Sequence, residues 1–197
     1  RSAMTIPRVL ALHEESEGLR LVQSPVAELE GLRSEGMSRR DVAVSAGSNP
    51  LGEFKFDTYE IVAEFELGTA AEFGFKVRKS DKEETVIGYD AAEQVLFIDR
   101  CRSGTVEFSD SFPCKHGAPL TPRGNKVKLR VFVDWSSVEV FANDGIAAIT
   151  DLIFPDPSSL GVEVYAVNGN VTLSSFTLYP LNRIHSANKE VVQHADE

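Results

Sequence analysis

The stretch from Val127 to Thr150, VKLRVFVDWSSVEVFANDGIAAIT, alternates apolar and polar residues in a way that is compatible with few structures. Apolar side chains occupy every second position from Val127 to Val133, and again Val138 and Val140. Successive side chains of an extended chain point to opposite faces, so this period predicts half-buried strands. Asp-Trp-Ser-Ser and Asn-Asp-Gly separate the runs, and both are turn-forming sequences. We therefore predict a three-stranded meander with Trp135 on a turn.

Short strand signals recur along the rest of the chain, and regular spacing of this kind is typical of sandwiches and barrels. The further predicted strands are 19–23, 59–67, 73–77, 85–89, 95–99, 160–166 and 171–178. The pair around Asp90–Gln94 reads as a hairpin, and Asn-Gly-Asn at 168–170 predicts another turn. Along 59–67 the apolar residues share one face, so Glu60, Glu64 and Glu66 are expected on a solvated face.

Helical signals are confined to two places, 27–33 and the tail after His185. The fold class that follows is all-β, a two-sheet antiparallel β-sandwich with jelly-roll-like connections. We expect a single domain over residues 1–184. The polar tail, 185–197, is expected to fray or to lie along the surface.

Charge and composition exclude several classes of partner. The formal net charge is −10, whereas nucleic acids and anionic membranes are bound through Lys/Arg-rich surfaces, so neither partner is expected. A neutral polar ligand suits an acidic surface better.

The four histidines, at 13, 116, 185 and 194, show no zinc-ligand spacing and are expected at the surface. Cys101 and Cys114 also lack metal-ligand spacing, and the sequence leaves open whether they form a bridge or remain two free thiols. No cofactor and no metal are predicted.

Four segments of the chain resemble glycoside hydrolase family 32, the levanases, inulinases and invertases that cut β-fructosides. They are RSAMTIPR at Arg1–Arg8, DRCRSG at Asp99–Gly104, VDWSSVEVFANDG at Val133–Gly145 and SFTLYPL at Ser175–Leu181. The resemblance covers nearly the whole chain and falls on the C-terminal β-sandwich of such enzymes. It implies that a five-bladed catalytic propeller lies outside this sequence and that Arg1–Arg8 resembles the exit from its last blade. It also implies a secreted protein.

The motifs that carry catalysis in that family are absent from this sequence. There is no Asn-Asp-Pro-Asn-Gly, no Arg-Asp-Pro and no Glu-Cys. We therefore assign no catalytic residue. Asp134 and Glu139 flank a turn and resemble the paired carboxyl groups of a retaining glycosidase, but Asp134 is more simply interpreted as a cap of its own turn and Glu139 as part of a polar strand face.

Sugar binding without catalysis is the better interpretation of these residues. A sugar needs carboxylates as acceptors, a guanidinium as donor and an aromatic face for its C–H surface. Seven residues are predicted to supply these groups: Asp134, Trp135 and Glu139 from the meander, and Tyr89, Asp99, Arg100 and Arg102 from the preceding hairpin. The alternative for Asp99, Arg100 and Arg102 is a structural ion pair that braces the turn at Ser103–Gly104.

The sequence is compatible with three functional hypotheses. The leading hypothesis is a non-catalytic module of a fructan hydrolase that binds levan, inulin or a terminal fructose. The second is a structural support or dimerisation domain for the catalytic propeller without a sugar site, which predicts an exposed apolar patch. An independent jelly-roll enzyme, such as a polysaccharide lyase, ranks last because its Lys, Tyr and His residues are scattered along the sequence.

Overall fold

The computed structural model describes residues 4–15 and 18–183. Thirteen strands make up most of this part of the chain: β1 Arg8–Glu15, β2 Gly18–Pro25, β3 Met37–Ser45, β4 Tyr59–Glu66, β5 Glu72–Lys79, β6 Glu84–Asp90, β7 Val95–Arg102, β8 Lys115–Pro119, β9 Lys126–Val133, β10 Ser137–Ala142, β11 Ala147–Leu152, β12 Gly161–Val167 and β13 Asn170–Pro180. Two short 3-10 helices, Ala27–Leu32 and Asn143–Gly145, complete the regular structure. The predicted tail 185–197 lies outside the described residues.

The strands form two antiparallel sheets and a separate hairpin. One sheet has the order β11-β10-β9-β4-β13-β3, the other has the order β12-β5-β6-β7-β8, and β1 pairs with β2 alone. Every pair of strands within them is antiparallel. The predicted two-sheet antiparallel sandwich is therefore confirmed, and the hairpin is an addition to it.

The core lies between the two sheets and is lined by the alternating side chains of their inner faces. On β4, Tyr59, Ile61 and Phe65 are fully buried, as the alternation predicts. The ring of Phe65 lies between those of Phe73 and Phe75 on the opposite sheet, with centroids 4.9 and 5.2 Å away. Aromatic pairs at these separations bury large areas and add a specific contact energy, so they hold the two sheets in register.

The predicted meander is confirmed as β9, β10 and β11. Its second turn carries positive φ angles at Asn143, Asp144 and Gly145, the last at 93°. A side chain at Gly145 would place its Cβ 2.1 Å from the carbonyl oxygen of Gln23 in β2. Gly145 is therefore needed both for the turn and for the close passage of the β1–β2 hairpin across it.

Three strands were not predicted: β1, β3 and β8. β3 reads Met-Ser-Arg-Arg-Asp-Val-Ala-Val-Ser and is mostly polar, because it is an edge strand with one solvated face. The turn at 168–170 is confirmed, but it does not close a hairpin. It links β12 in one sheet to β13 in the other, so its flanking strands pair with different partners.

The expectation that Glu60 lies on a solvated face is wrong. Its side chain is fully buried, and its two oxygens accept hydrogen bonds from Arg33 at 2.7 and 2.8 Å and from Arg130 Nε at 2.6 Å. Arg33 directly follows the 3-10 helix Ala27–Leu32, so the ion pair between Arg33 and Glu60 attaches this helix to the outer face of the sheet. Glu66, on the same strand, is exposed as expected. The two cysteines, for which pairing was left open, are both free thiols.

Replacing Glu60 with glutamine should lower the free energy of unfolding by about 2–3 kcal/mol, because two guanidinium groups then lose their common counter-charge. Arg33 and Arg130 retain some solvent contact, which keeps the loss below that of a fully buried pair. Urea unfolding followed by fluorescence measures it. The matched control, Glu66→Gln, should change stability by less than about 0.5 kcal/mol. Equal stability of the two variants would contradict this role of Glu60.

Candidate functional site: the Trp135 groove

A groove of about 470 Å³ lies beside the turn between β9 and β10, and we call it the Trp135 groove. Its walls are mainly apolar and come from four separate parts of the chain; they include Ile6, Leu29, Leu32, Phe132 and Leu181. Polar groups at its mouth belong to Thr58, Asp134 and Arg183. The combination of an apolar floor with a few polar groups is that of a small-ligand or peptide-binding surface.

Trp135 stands on the turn, 56% exposed, as predicted from the sequence. Its indole Nε1–H donates a hydrogen bond to Asp57 Oδ2 at 3.0 Å, and the guanidinium of Arg183 lies 4.9 Å from the centre of its ring. These contacts hold the ring in the wall of the groove and leave more than half of the Trp135 surface open to a ligand.

Asp134 caps this turn. Its backbone N–H donates to the Ser137 carbonyl at 2.9 Å, while its Oδ1 accepts from the backbone N–H of Trp135 at 2.7 Å. This is the interpretation that the sequence favoured over catalysis. The carboxylate stays exposed at the mouth of the groove, so its second oxygen remains accessible to solvent.

Glu139 is not on a polar strand face, and that expectation is wrong. The side chain is only 4% exposed and its carboxylate is fully engaged: Oε2 accepts from Arg8 at 2.6 Å and from Thr150 at 3.1 Å, and Oε1 accepts from the backbone N–H of Ile6 at 2.7 Å. The guanidinium of Arg8 also lies 5.0 Å from the ring of Phe141. Glu139 therefore anchors the segment before β1 to the sandwich and does not serve as a free sugar acceptor.

Three residues of the hairpin before the meander, Asp99, Arg100 and Arg102, were predicted to bind sugar, and their contacts differ. Arg100 is 13% exposed; its Nε donates to the Phe112 carbonyl at 2.9 Å and its Nη1 lies 3.3 Å from Asp151. Arg100 is therefore a structural residue, but its ion pair is not the one proposed as the alternative: the partner is Asp151 on β11 and not Asp99, and the pair joins the two sheets. Asp99 Oδ1 accepts from the backbone N–H of Cys101 at 2.9 Å. Arg102 is 62% exposed; its Nη2 donates to the Lys82 carbonyl at 3.2 Å and its Nη1 lies 3.7 Å from Glu84, so only part of its guanidinium faces solvent.

The prediction for Tyr89 is wrong. The ring is fully buried between the sheets and its hydroxyl donates to the Leu120 carbonyl at 3.0 Å. Burial raises the pKa of Tyr89 to about 12. The period-2 pattern of 85–89 already places this residue with the core-facing Ile87, and that signal contradicts a surface role.

A second surface feature, which we call the leucine face, was not located from the sequence. Leu10 and Leu12 on β1 pair with β2 so that they share one side of the hairpin with Leu19 and Leu21. All four are more than half exposed, at 61%, 67%, 70% and 52%. The opposite side carries Val22, which is buried against the sandwich. The signals available in the sequence were the apolar run at 9–12, Val-Leu-Ala-Leu, and the leucines of the predicted strand 19–23.

Other kinds of site find no support in the described ranges. Residues 4–15 and 18–183 contain no group of three or more His, Cys, Asp or Glu side chains arranged to hold a metal ion. Among these residues there is also no helix of sufficient length and apolarity to span a bilayer.

Comparison with known proteins gives the family. The model of the family "Glycosyl hydrolases family 32 C terminal" matches residues 28–180, and the chain belongs to this family. The levanase of Bacillus subtilis (strain 168) is 50% identical over 188 residues, which are 93% of this chain and 28% of the levanase. The extracellular exo-inulinase of Aspergillus awamori is 35% identical over 178 residues, 86% of this chain and 32% of that protein.

Solved structures agree with this assignment. The crystal structure of exo-inulinase from Aspergillus awamori matches with a TM-score of 0.81 at 30% identity, covering 92% of this chain and 36% of the other. Fructan 1-exohydrolase IIa from Cichorium intybus has the same fold, with a TM-score of 0.74 at 20% identity, covering 88% and 40% of the two chains. The chain thus spans less than a third of the length of the levanase and exo-inulinase sequences that it matches.

Glu139→Gln should loosen the segment that leads into β1, because the charge-assisted bond to Arg8 is lost while the shape of the side chain is kept. We expect trypsin to cleave after Arg8 about tenfold faster, as follows from a local opening made easier by about 1.4 kcal/mol. Mass spectrometry of the released 1–8 peptide measures the rate. Glu28→Gln, an exposed control, should leave it unchanged. An unaltered rate in Glu139→Gln would show that Glu139 does not anchor this segment.

Proposed function

We propose that this chain is a non-catalytic β-sandwich domain of a fructan-hydrolysing glycosidase and that its main task is to support the rest of that enzyme. The observation that carries the proposal is the leucine face. Four leucines on one side of a two-stranded hairpin, all more than half exposed, form an apolar surface of the kind that is covered in the native assembly.

The hairpin is attached to the sandwich at its base. Val22 is 3% exposed there, and the backbone of Gln23 passes close over Gly145. Arg8 at its base is held by Glu139 and by Gln23, whose Oε1 accepts from Arg8 Nη1 at 2.9 Å.

The occupant proposed for the leucine face is the catalytic propeller that the family resemblance implies. Two facts support this choice: the relatives are more than three times as long as the matched segment, and the Arg1–Arg8 segment that resembles the propeller exit leads directly into β1. The absence of the family's catalytic motifs from the sequence supports a non-catalytic role. In the same way, the extracellular exo-inulinases among the relatives support secretion.

A second function, fructan binding, is favoured by the Trp135 groove. Trp135 offers an open aromatic surface, Asp134 an acceptor and Arg183 a donor within one exposed region. Asp99 and Arg102 remain candidates on the other sheet. A site of this kind would hold a fructose unit of levan or inulin without cutting it.

The supporting role is tested with the remainder of the parent polypeptide expressed as a separate protein. Leu12→Asp should weaken its association with this chain at least about tenfold, since a charge at the centre of an apolar contact costs 1.4 kcal/mol or more. Isothermal titration calorimetry measures the dissociation constant. Val167→Asp, at an apolar position that is 39% exposed away from the hairpin, is the control and should bind normally. Equal binding by both variants would refute the leucine face as the docking surface.

The binding role is tested by electrophoresis in gels that contain levan or inulin. If fructan binds, migration of the native chain is retarded and Trp135→Ala removes the retardation, because the stacking surface is lost. Phe108→Ala is a matched control, since Phe108 is 59% exposed and lies outside the groove. Normal migration of the native chain with both polymers would leave support as the only role. Sugar release that follows the chain through purification would overturn the non-catalytic assignment.

A further inference from the structure

The two sheets meet at one edge, where β8 of the five-stranded sheet contacts β11 of the six-stranded sheet. Four reactive or charged side chains gather there. Cys114 immediately precedes β8 and His116 lies within it; side chains two residues apart in an extended chain point the same way. Asp151 comes from β11 and Arg100 from β7. Neither the family's catalytic motifs nor the Trp135 groove includes any of them.

The imidazole of His116 is held by a buried carboxylate. Its Nδ1 lies 2.8 Å from Asp151 Oδ1 and 3.0 Å from Oδ2, and the Asp151 side chain is only 2% exposed. This contact places the proton of the neutral ring on Nδ1 and leaves Nε2 as an acceptor. Burial raises the pKa of Asp151, while its contacts with His116 and Arg100 act in the opposite direction.

The thiol of Cys114 lies against this ring and against a guanidinium. Its sulfur is 3.4 Å from His116 Nε2 and 3.7 Å from Nδ1, and Arg100 Nε donates to it at 3.1 Å. A thiolate at this position would therefore contact one permanent cation and one imidazole able to take up a proton. With Asp151 opposite Arg100, the net charge of the cluster stays at zero when the proton passes from the thiol to the imidazole. Because its distances to the two ring nitrogens are nearly equal, the sulfur lies over the face of the imidazole. Thiol, base and orienting carboxylate are the components of an activated nucleophile, and a rotation of the His116 ring or of the thiol aligns Nε2 with the sulfur.

Cys101 provides the contrast within the same chain. It is the more exposed of the two cysteines. Burial of the sulfur and the hydrogen bond and charge of Asp99 raise the pKa of Cys101, and the opposing influence of Arg100 is the weakest of these. Accessibility alone therefore predicts that Cys101 reacts first, whereas the surroundings of the two sulfurs predict the opposite order.

We propose that Cys114 is an activated thiol and a site of covalent modification by soft electrophiles, small-molecule disulfides in particular, and that Cys101 is not. In the reaction, rotation of the His116 ring brings Nε2 into line with the thiol, the proton of the Cys114 thiol passes to Nε2, and the sulfur attacks one sulfur of the disulfide. The disulfide bond of the reagent breaks as the new one forms. The departing thiolate takes the proton from His116 and leaves as a free thiol.

The side chains around the sulfur bear on which disulfides react best. The ring of Phe112 lies 4.0 Å beneath the guanidinium of Arg100 and packs against Phe108 and Phe154, with centroids 4.5 and 5.4 Å away. Phe108 and Phe154 are 59% and 39% exposed. An aromatic disulfide can rest on these rings while it is attacked, so aromatic reagents are expected to react faster than aliphatic ones of equal charge.

The experiment is the reaction of the folded chain with limiting dithiodipyridine at neutral pH, followed by peptide mapping. We expect Cys114 to be modified at least about tenfold faster than Cys101. The Cys101→Ser variant should retain the fast reaction and Cys114→Ser should lose it. In urea the two cysteines of the native sequence should react at similar rates, because the cluster no longer exists. Equal rates in the folded chain, or faster reaction of Cys101, would overturn the proposal.

The His116→Gln variant tests whether Cys114 reacts quickly because of the neighbouring imidazole or only because its sulfur is accessible. The His116 side chain is half exposed, so the substitution should leave the fold intact, which urea unfolding verifies. The Cys114 rate should fall about tenfold in this variant, while that of Cys101 in the same molecules stays constant and serves as an internal control. An unchanged Cys114 rate in folded His116→Gln would exclude the imidazole from the reaction.

Discussion

Burial of one face of each sheet against the other is the interaction on which the remaining structure depends. The rings of Phe65, Phe73 and Phe75 meet across the interface, and fully buried aliphatic residues of both sheets surround them. Because side chains alternate along each strand, packing the inner faces in this way also determines which residues point outward. The outer faces, the connecting turns and the sheet edges are therefore placed by the core, even though they contribute little to it.

Ion pairs between arginines and buried carboxylates attach the segments that lie outside the core. In the described part of the chain three carboxylates are buried: Glu60, Glu139 and Asp151. Each is paired with an arginine from another segment. The pair of Glu60 attaches the 3-10 helix Ala27–Leu32 to the sandwich, that of Glu139 attaches the strand that begins at Arg8, and that of Asp151 joins the edges of the two sheets. A buried carboxylate without such a partner would be strongly destabilising, which ties the position of each segment to its ion pair.

This arrangement connects the proposed functions with the scaffold. Arg8 and Glu139 secure the base of the hairpin that carries the leucine face, and Asp57 and Arg183 contact the ring of Trp135. Cys114 has a base and a guanidinium beside it because Asp151 draws both His116 and Arg100 to the sheet edge. The same type of contact, a remote side chain held by a buried or half-buried acid, thus underlies all three surfaces.

What the sequence determined by itself was the all-β class, the meander around Trp135 and the family, since alternation, turn residues and short motifs are properties of neighbouring residues. It did not determine which individual acids are buried: Glu60 and Glu139 look like members of solvated faces, whereas the core position of Tyr89 can be read from the alternation of 85–89. Their partners, such as Arg8, which is 131 residues from Glu139, are brought to them only by the tertiary fold. Long-range pairing of this kind leaves no periodic trace in the sequence, so only the structure decides which polar residues are buried and which remain free to bind.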